Sequence, residues 1–139
     1  MKILIVGAGI AGSATAVLLS RHGHEVTVID AATEPYSGGY LLLLNDTARK
    51  VMDQLGARDL VNDLSAPTPT IGVHWSGRKL TEFTPSGYRL ARRGDLVGAF
   101  SQMASEEVPI TFGKKLSGVS TTCPGSPRTS QIQPLKTSI

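Results

Sequence analysis

The chain has one cysteine, Cys123, in 139 residues. A single thiol excludes an internal disulfide, a cysteine-based metal site and a disulfide-stapled secreted fold, so the expected setting is cytoplasmic. Acidic residues are missing from the last stretch. All eleven Asp and Glu lie in residues 1–107 beside ten Lys and Arg, whereas residues 108–139 hold Lys114, Lys115, Arg128 and Lys136 and no acid. The net charge of +3 therefore belongs to the end of the chain. No basic run with interleaved aromatics occurs, and no nucleic-acid partner is expected. A long hydrophobic run is also lacking. The apolar stretch from Lys2 to Leu19 is broken by Gly7, Gly9, Gly12 and Ser13, which argues against a targeting signal or a membrane span. His22, His24 and His74 have no ligand spacing, so no metal site is expected. Glu106 and Glu107 read as a solvated face. No Gly-x-Ser-x-Gly elbow, His-Glu-x-x-His pair or Walker loop is present, and no catalytic residue is assigned.

What is present begins at the N-terminus. Ile3-Leu4-Ile5-Val6 is a short β-rich apolar run without alternation, which predicts a strand buried on both faces of a parallel sheet. It runs into Gly7-Ala8-Gly9-Ile10-Ala11-Gly12. A helix follows, with Ile10, Ala14, Val17 and Leu18 on one face and Gly23 as its stop. Glu25-Val26-Thr27-Val28-Ile29-Asp30 is a second strand that ends in an acid. Together these make a βαβ dinucleotide fingerprint in its required context. Gly7 permits the tight turn out of the strand, Gly9 lets the backbone approach a pyrophosphate, and Gly12 lets the helix pack close to the sheet. The helix N-terminus at Ile10 and Ala11 offers N–H groups and a positive dipole end to the phosphates. Asp30 stands 18 residues past Gly12, where a carboxylate can bind a ribose 2′-OH. It would repel a 2′-phosphate and so disfavours NADP at this site. A turn serving packing alone would leave the glycine spacing and the terminal acid as coincidence.

The middle of the chain narrows the choice of dinucleotide. Gly38-Gly39-Tyr40 and the Leu41–Leu44 run lead into Asn45, a good helix N-cap. The helix after it carries Ala48, Val51, Met52 and Leu55 and stops at Gly56. Residues 71–75 and 80–83 flank Ser76-Gly77-Arg78 and predict a β-hairpin, within which Trp75 and Tyr88 are expected to pack. Arg93-Gly94-Asp95-Leu96 opens another helix containing Phe100 and Met103. The segment GGYLLLL…AR..M..LGARDLV and the Arg93 element, in this order, resemble the group A flavoprotein monooxygenases, the para-hydroxybenzoate hydroxylase-like family. The resemblance covers roughly residues 1–122. One departure is Ala31, where many relatives place a basic residue.

The resemblance implies an α/β fold: a Rossmann-type βαβ FAD-binding domain, a parallel sheet with flanking helices and an inserted β-hairpin, incomplete in this chain. It implies that residues 66–90 begin an inserted substrate-side sheet. It further implies that Gly7, Gly9, Ile10, Ala11 and Gly12 meet the FAD pyrophosphate, that Asp30 meets the adenosine ribose, and that Arg93 lies near the pyrophosphate or ribityl chain. Arg92 is the alternative for the inward-pointing guanidinium. The complete family enzyme uses NAD(P)H as electron donor and oxygenates a small, aromatic-type organic substrate. Two other readings stand beside this one: an NAD-binding dehydrogenase fragment, and a non-catalytic dinucleotide-binding remnant that self-associates through exposed sheet edges.

Val108–Gly113 and Leu116–Ser120 are expected to be two further strands. Residues 123–139 have three prolines, no acid and no hydrophobic period, the composition of a disordered tail. They read as non-family sequence of the kind a frameshift, a retained intron or a misjudged gene end produces. The family motifs expected after this point are absent, so the chain reads as truncated and too short to turn over alone.

Overall fold

A computed structural model describes residues 1–119. Its elements, in chain order, are β1 (Lys2–Val6), α1 (Ile10–Arg21), β2 (Glu25–Ile29), β3 (Leu41–Leu44), α2 (Asp46–Gln54), α3 (Arg58–Asp63), β4 (Ser65–Pro67), β5 (Ile71–Trp75), β6 (Arg78–Phe83), β7 (Arg89–Arg92), α4 (Arg93–Ser105) and β8 (Ile110–Thr111). The fold class is α/β as expected. Cys123 and the tail at 123–139 lie outside the described residues.

The first sheet is parallel, in the order β1-β2-β8. Ile3 pairs with Val26 and Ile5 with Val28, so these four side chains share one face. The crossover helix α1 covers that face and packs on α4. Ala16, Val17, Val28, Leu96, Phe100 and Ala104 form the centre of the core. Each large side chain buried there contributes about 1.5–3 kcal/mol relative to an exposed one. The predicted face of α1 holds: Val17 is buried, and Ile10, Ala14 and Leu18 are half-buried against the core. Ser13 and Ala16 join them at depth, and the Ser13 hydroxyl is satisfied by donating to the Ala8 carbonyl at 3.2 Å.

The expectation that β1 is buried on both faces is not met. Leu4 and Val6 point away from α1 and are 49% and 56% exposed. Burial of a strand depends on what covers each face, and on this one the cover buries Ile29, the β2 partner of Val6, but leaves Leu4 and Val6 open. A run of apolar residues carries no information about that cover.

A second sheet is antiparallel, in the order β3-β7-β4. Asn45 caps α2 as predicted, its side-chain oxygen accepting from the Ala48 N–H at 2.8 Å. Met52 and Leu55 are buried by that helix, but Val51 faces out. Arg89 closes the end of α3: its Nε donates to Ser65 Oγ at 2.7 Å, and its terminal nitrogen donates to the carbonyls of Asn62 and Ser65.

The third sheet is the predicted hairpin, β5 with β6. Ser76 and Gly77 both have positive φ, 47° and 77°, the signature of a type I′ turn that matches strand twist. The packing expected for Trp75 and Tyr88 does not occur: Trp75 is 73% exposed and Tyr88 is also exposed. A two-stranded ribbon has two faces, and this one is exposed along all of β6 and along β5 after the half-buried Ile71. The strand expected at Leu116–Ser120 is also not found. Residues 116–119 have no strand pairing, and Ser120 lies outside the described residues. Among the described residues only the first of the two final strands forms, as the two-residue β8.

Candidate dinucleotide site

The carboxyl end of β1 runs into the glycine loop. Gly7 sits at φ +109°, a backbone shape that L side chains rarely adopt. Its N–H donates to the Ile29 carbonyl at 2.7 Å, extending the β1–β2 ladder by one step. Gly12 is needed for a different reason. A Cβ there would stand 1.9 Å from the Gly7 carbonyl oxygen and 3.5 Å from Ile5 Cγ2, so the bare backbone of α1 rests on the loop and on β1.

Gly9 has neither reason. It is the N-cap residue, with φ −74° and ψ −176°, a conformation open to any residue. A Cβ at Gly9 would meet nothing within 4 Å. No intrachain contact calls for glycine here, and the space above it is open. The helical ladder begins with Ser13 N–H donating to Gly9 O at 2.9 Å. The N–H groups of Ile10, Ala11 and Gly12 therefore precede it, at the positive end of the helix dipole.

Asp30 directly follows β2, whose last residue, Ile29, pairs with Val6 at the end of β1. Its carboxylate clamps two loops: Oδ2 accepts from the Ala8 N–H at 2.7 Å and Oδ1 from the Ala32 N–H at 2.8 Å. Each oxygen keeps a further lone pair for a hydroxyl donor. The backbone of Asp30 bonds to Thr111 and Lys114, so β8 and the segment after it hold this corner from the other side. Gly7, Gly9, Ile10, Ala11, Gly12 and Asp30 are thus brought together at one corner of the parallel sheet.

Arg93 stands in a second cluster. It is the first residue of α4, and its N–H donates to the Tyr40 carbonyl at 3.1 Å. Its guanidinium lies over the Tyr36 ring, 5.0 Å from the centroid. Arg92 is exposed whereas Arg93 is half-buried, so Arg93 is the guanidinium that turns inward. Gly94 is forced by packing, because a Cβ there would be 2.1 Å from the Ser37 carbonyl oxygen. Tyr36 and Ser37 lie more than fifty positions from Arg93 in the chain, and no local pattern joins them to it. Only the glycines of the GGY and RGD segments hinted at a close approach.

Among the described residues no group of three or more His, Cys, Asp or Glu could hold a metal ion. Among the described residues one titrating pair is perturbed, away from both clusters. The Arg58 hydrogen bond holds the Asp53 carboxyl below its ordinary value, against a smaller opposing effect of desolvation, and raises the guanidinium in turn. It is an exposed clasp between α2 and α3. The loop and the Arg93 cluster offer backbone N–H groups, a carboxylate and a cation, a set suited to binding phosphates and hydroxyls and not to acid–base work.

The comparisons with known proteins agree with this chemistry. The chain is 48% identical over 61 residues to tryptophan 2-halogenase from Chondromyces crocatus, covering 43% of this chain and 11% of that protein. It is 29% identical over 126 residues to FAD-dependent monooxygenase atnJ from an Arthrinium species, covering 86% of this chain and 30% of that one. Among solved structures, a variant of PqsL from P. aeruginosa superposes with a TM-score of 0.76 at 26% identity, over 88% of this chain and 36% of its own. The chain thus spans about a third or less of these relatives. The FAD binding domain family matches residues 1–122. FAD is the cofactor of that family, and the glycine loop fits it, because the space that a Cβ on Gly9 would fill is open. This chain belongs to the FAD binding domain family of the flavin-dependent monooxygenases.

Proposed function

We propose that the chain is the FAD-binding portion of an NAD(P)H-dependent flavoprotein monooxygenase that hydroxylates a small, aromatic-type organic substrate. Gly7, Gly9, Ile10, Ala11 and Gly12 receive the pyrophosphate, Asp30 the adenosine ribose, and Arg93 a phosphate or the ribityl chain. FAD, when bound, supplies the redox chemistry, taking reducing equivalents from a nicotinamide and activating O₂. The residues of this chain bind and orient it. Residues 66–90 form the start of the substrate-side sheet, and residues 123–139 are a tail of non-family sequence. The setting is cytoplasmic, consistent with a single cysteine. No described helix is long and apolar enough to cross a membrane. The open edge of β1 favours self-association.

The observation that carries the reading is the unexplained glycine at position 9, which has permissive backbone angles and empty space where its side chain would be. The test is a visible absorbance spectrum of the purified chain after incubation with excess FAD and desalting, followed by parallel FAD and NAD titrations. A retained flavin spectrum with FAD binding tighter than NAD is expected. Colourless protein that binds NAD would favour the dehydrogenase reading. Protein that binds neither would favour the remnant.

A further inference from the structure

The Arg93 guanidinium has an unusual combination of neighbours. Among the described residues the ion pairs are Lys2–Glu25, Arg21–Glu107, Arg49–Asp46, Arg58–Asp53 and Lys79–Glu82, and none uses Arg93. It nonetheless sits over the Tyr36 ring, with its Cζ 5.0 Å from the ring centroid. That ring is itself held from beneath. A Cβ on Gly38 would meet Tyr36 Oη at 3.0 Å and Cζ at 3.2 Å, and a Cβ on Gly39 would meet Tyr36 Cε1 at 3.3 Å and Arg93 Cδ at 3.4 Å. Two side-chain-free residues thus leave room beside the backbone for the Oη–Cζ–Cε1 side of the ring and, at Gly39, for the Arg93 side chain as well. Stacking fills the face of a guanidinium and leaves its edge of N–H donors unspent. The edge is what makes bidentate bonds to a phosphate.

We propose that Tyr36 is a positioning residue, whose ring carries the Arg93 guanidinium and fixes the direction in which its donor edge meets the phosphates of the bound dinucleotide. The inference rests on the reading of Arg93 given above. It assigns the Gly38-Gly39 pair a purpose as well: room for the ring.

The test has a cofactor-free and a cofactor-bound arm. In the free protein, the Arg93 side-chain protons should show an upfield ring-current shift in NMR that survives Tyr36→Phe and disappears in Tyr36→Leu. FAD titrations followed by flavin fluorescence should then give a dissociation constant about two- to fivefold weaker for Tyr36→Leu, the usual range for an exposed cation–π contact. Tyr36→Phe should bind like the wild type. In an Arg93→Gln background, Tyr36→Leu should add no further loss. Riboflavin, which lacks phosphate, should be indifferent to both substitutions. The proposal is overturned if the ring-current shift is missing in the wild type, if Tyr36→Leu binds FAD unchanged, or if it costs as much without Arg93 as with it. Wild-type protein that shows the shift but binds no FAD would overturn the reading of the site and the phosphate role of the pair together, and leave only the stack.

Discussion

Replacing Gly9 and Gly12 separately by alanine should split two properties that the glycine motif usually loses together. At Gly12 the new Cβ would stand 1.9 Å from a carbonyl oxygen of the Gly7 backbone. No rotamer can relieve that contact, so α1 must move off β1. Overpacking of this kind costs about 1–3 kcal/mol, which for a domain of this size is a fall of roughly 5–15 °C in melting temperature. At Gly9 the new Cβ meets nothing within 4 Å, and the angles of φ −74° and ψ −176° suit alanine. Alanine is the poorer N-cap by about 0.5–1 kcal/mol, but it stiffens the unfolded chain by about 0.4–1 kcal/mol. The two nearly cancel, and the melting temperature should stay within about 3 °C of the wild type. Affinity for FAD should behave otherwise. The added methyl occupies the space above the loop into which the pyrophosphate comes, and binding should weaken by about tenfold or more, a loss of about 1.4 kcal/mol. Differential scanning fluorimetry without cofactor and a flavin-fluorescence titration measure the two properties independently. Gly9→Ala protein that binds FAD like the wild type, or that melts as low as Gly12→Ala, would refute the argument.

The remaining predictions concern single contacts. Asp30→Ala leaves the part-buried Ala8 N–H without its acceptor and returns the exposed Ala32 N–H to water; it should destabilise the free protein by about 1–2 kcal/mol while also weakening FAD binding. Asp30→Asn, which keeps one acceptor oxygen, should recover part of the stability, as chemical denaturation will show. Asn45→Ala removes the α2 cap and should cost about 1 kcal/mol in the same assay with no change in FAD affinity. For Asp53→Asn the effect depends on pH. The Asp53 carboxyl is held below its ordinary value of 3.8, so the pair stabilises the fold above that value and loses its effect as pH falls through the depressed one. Wild type should melt slightly above the variant at pH 7, and the two curves should converge as pH falls below 3.8 and through the depressed value. A difference that grows on acidification would contradict the assignment.

What could be read from the sequence was whatever depends on neighbouring residues. The turn at Ser76-Gly77, the Asn45 cap and the stop of α1 at Gly23 each follow from the angles or side-chain reach of a few adjacent positions, and all are where they were expected. The glycine loop and Asp30 belong to the same class, because β1, α1 and β2 are contiguous. What failed was inference about cover. Leu4, Val6, Val51 and Trp75 are apolar and exposed, and no local pattern reports whether another element will pack on them. The Arg93 stack failed for a second reason. Its partner Tyr36 lies in the segment that leads into the second sheet, and only the pairing of β3 with β7 brings the two together.

The parallel sheet has a kinetic consequence. β1, α1 and β2 form from contiguous chain, whereas β8 pairs with β2 across the gap from Val28 to Ile110, a loop of about eighty residues to close. Both antiparallel sheets lie inside that loop. Local contacts are reached first and long closures late, so the βαβ unit and the excursion should each be organised before Pro109 and Thr111 bond to the β2 backbone. On a ribosome the glycine loop would emerge early, but the corner at Asp30 would wait for Thr111 and Lys114 to close it. A cofactor that needs that corner would act as a checkpoint on completed synthesis of this region rather than as a seed for its folding.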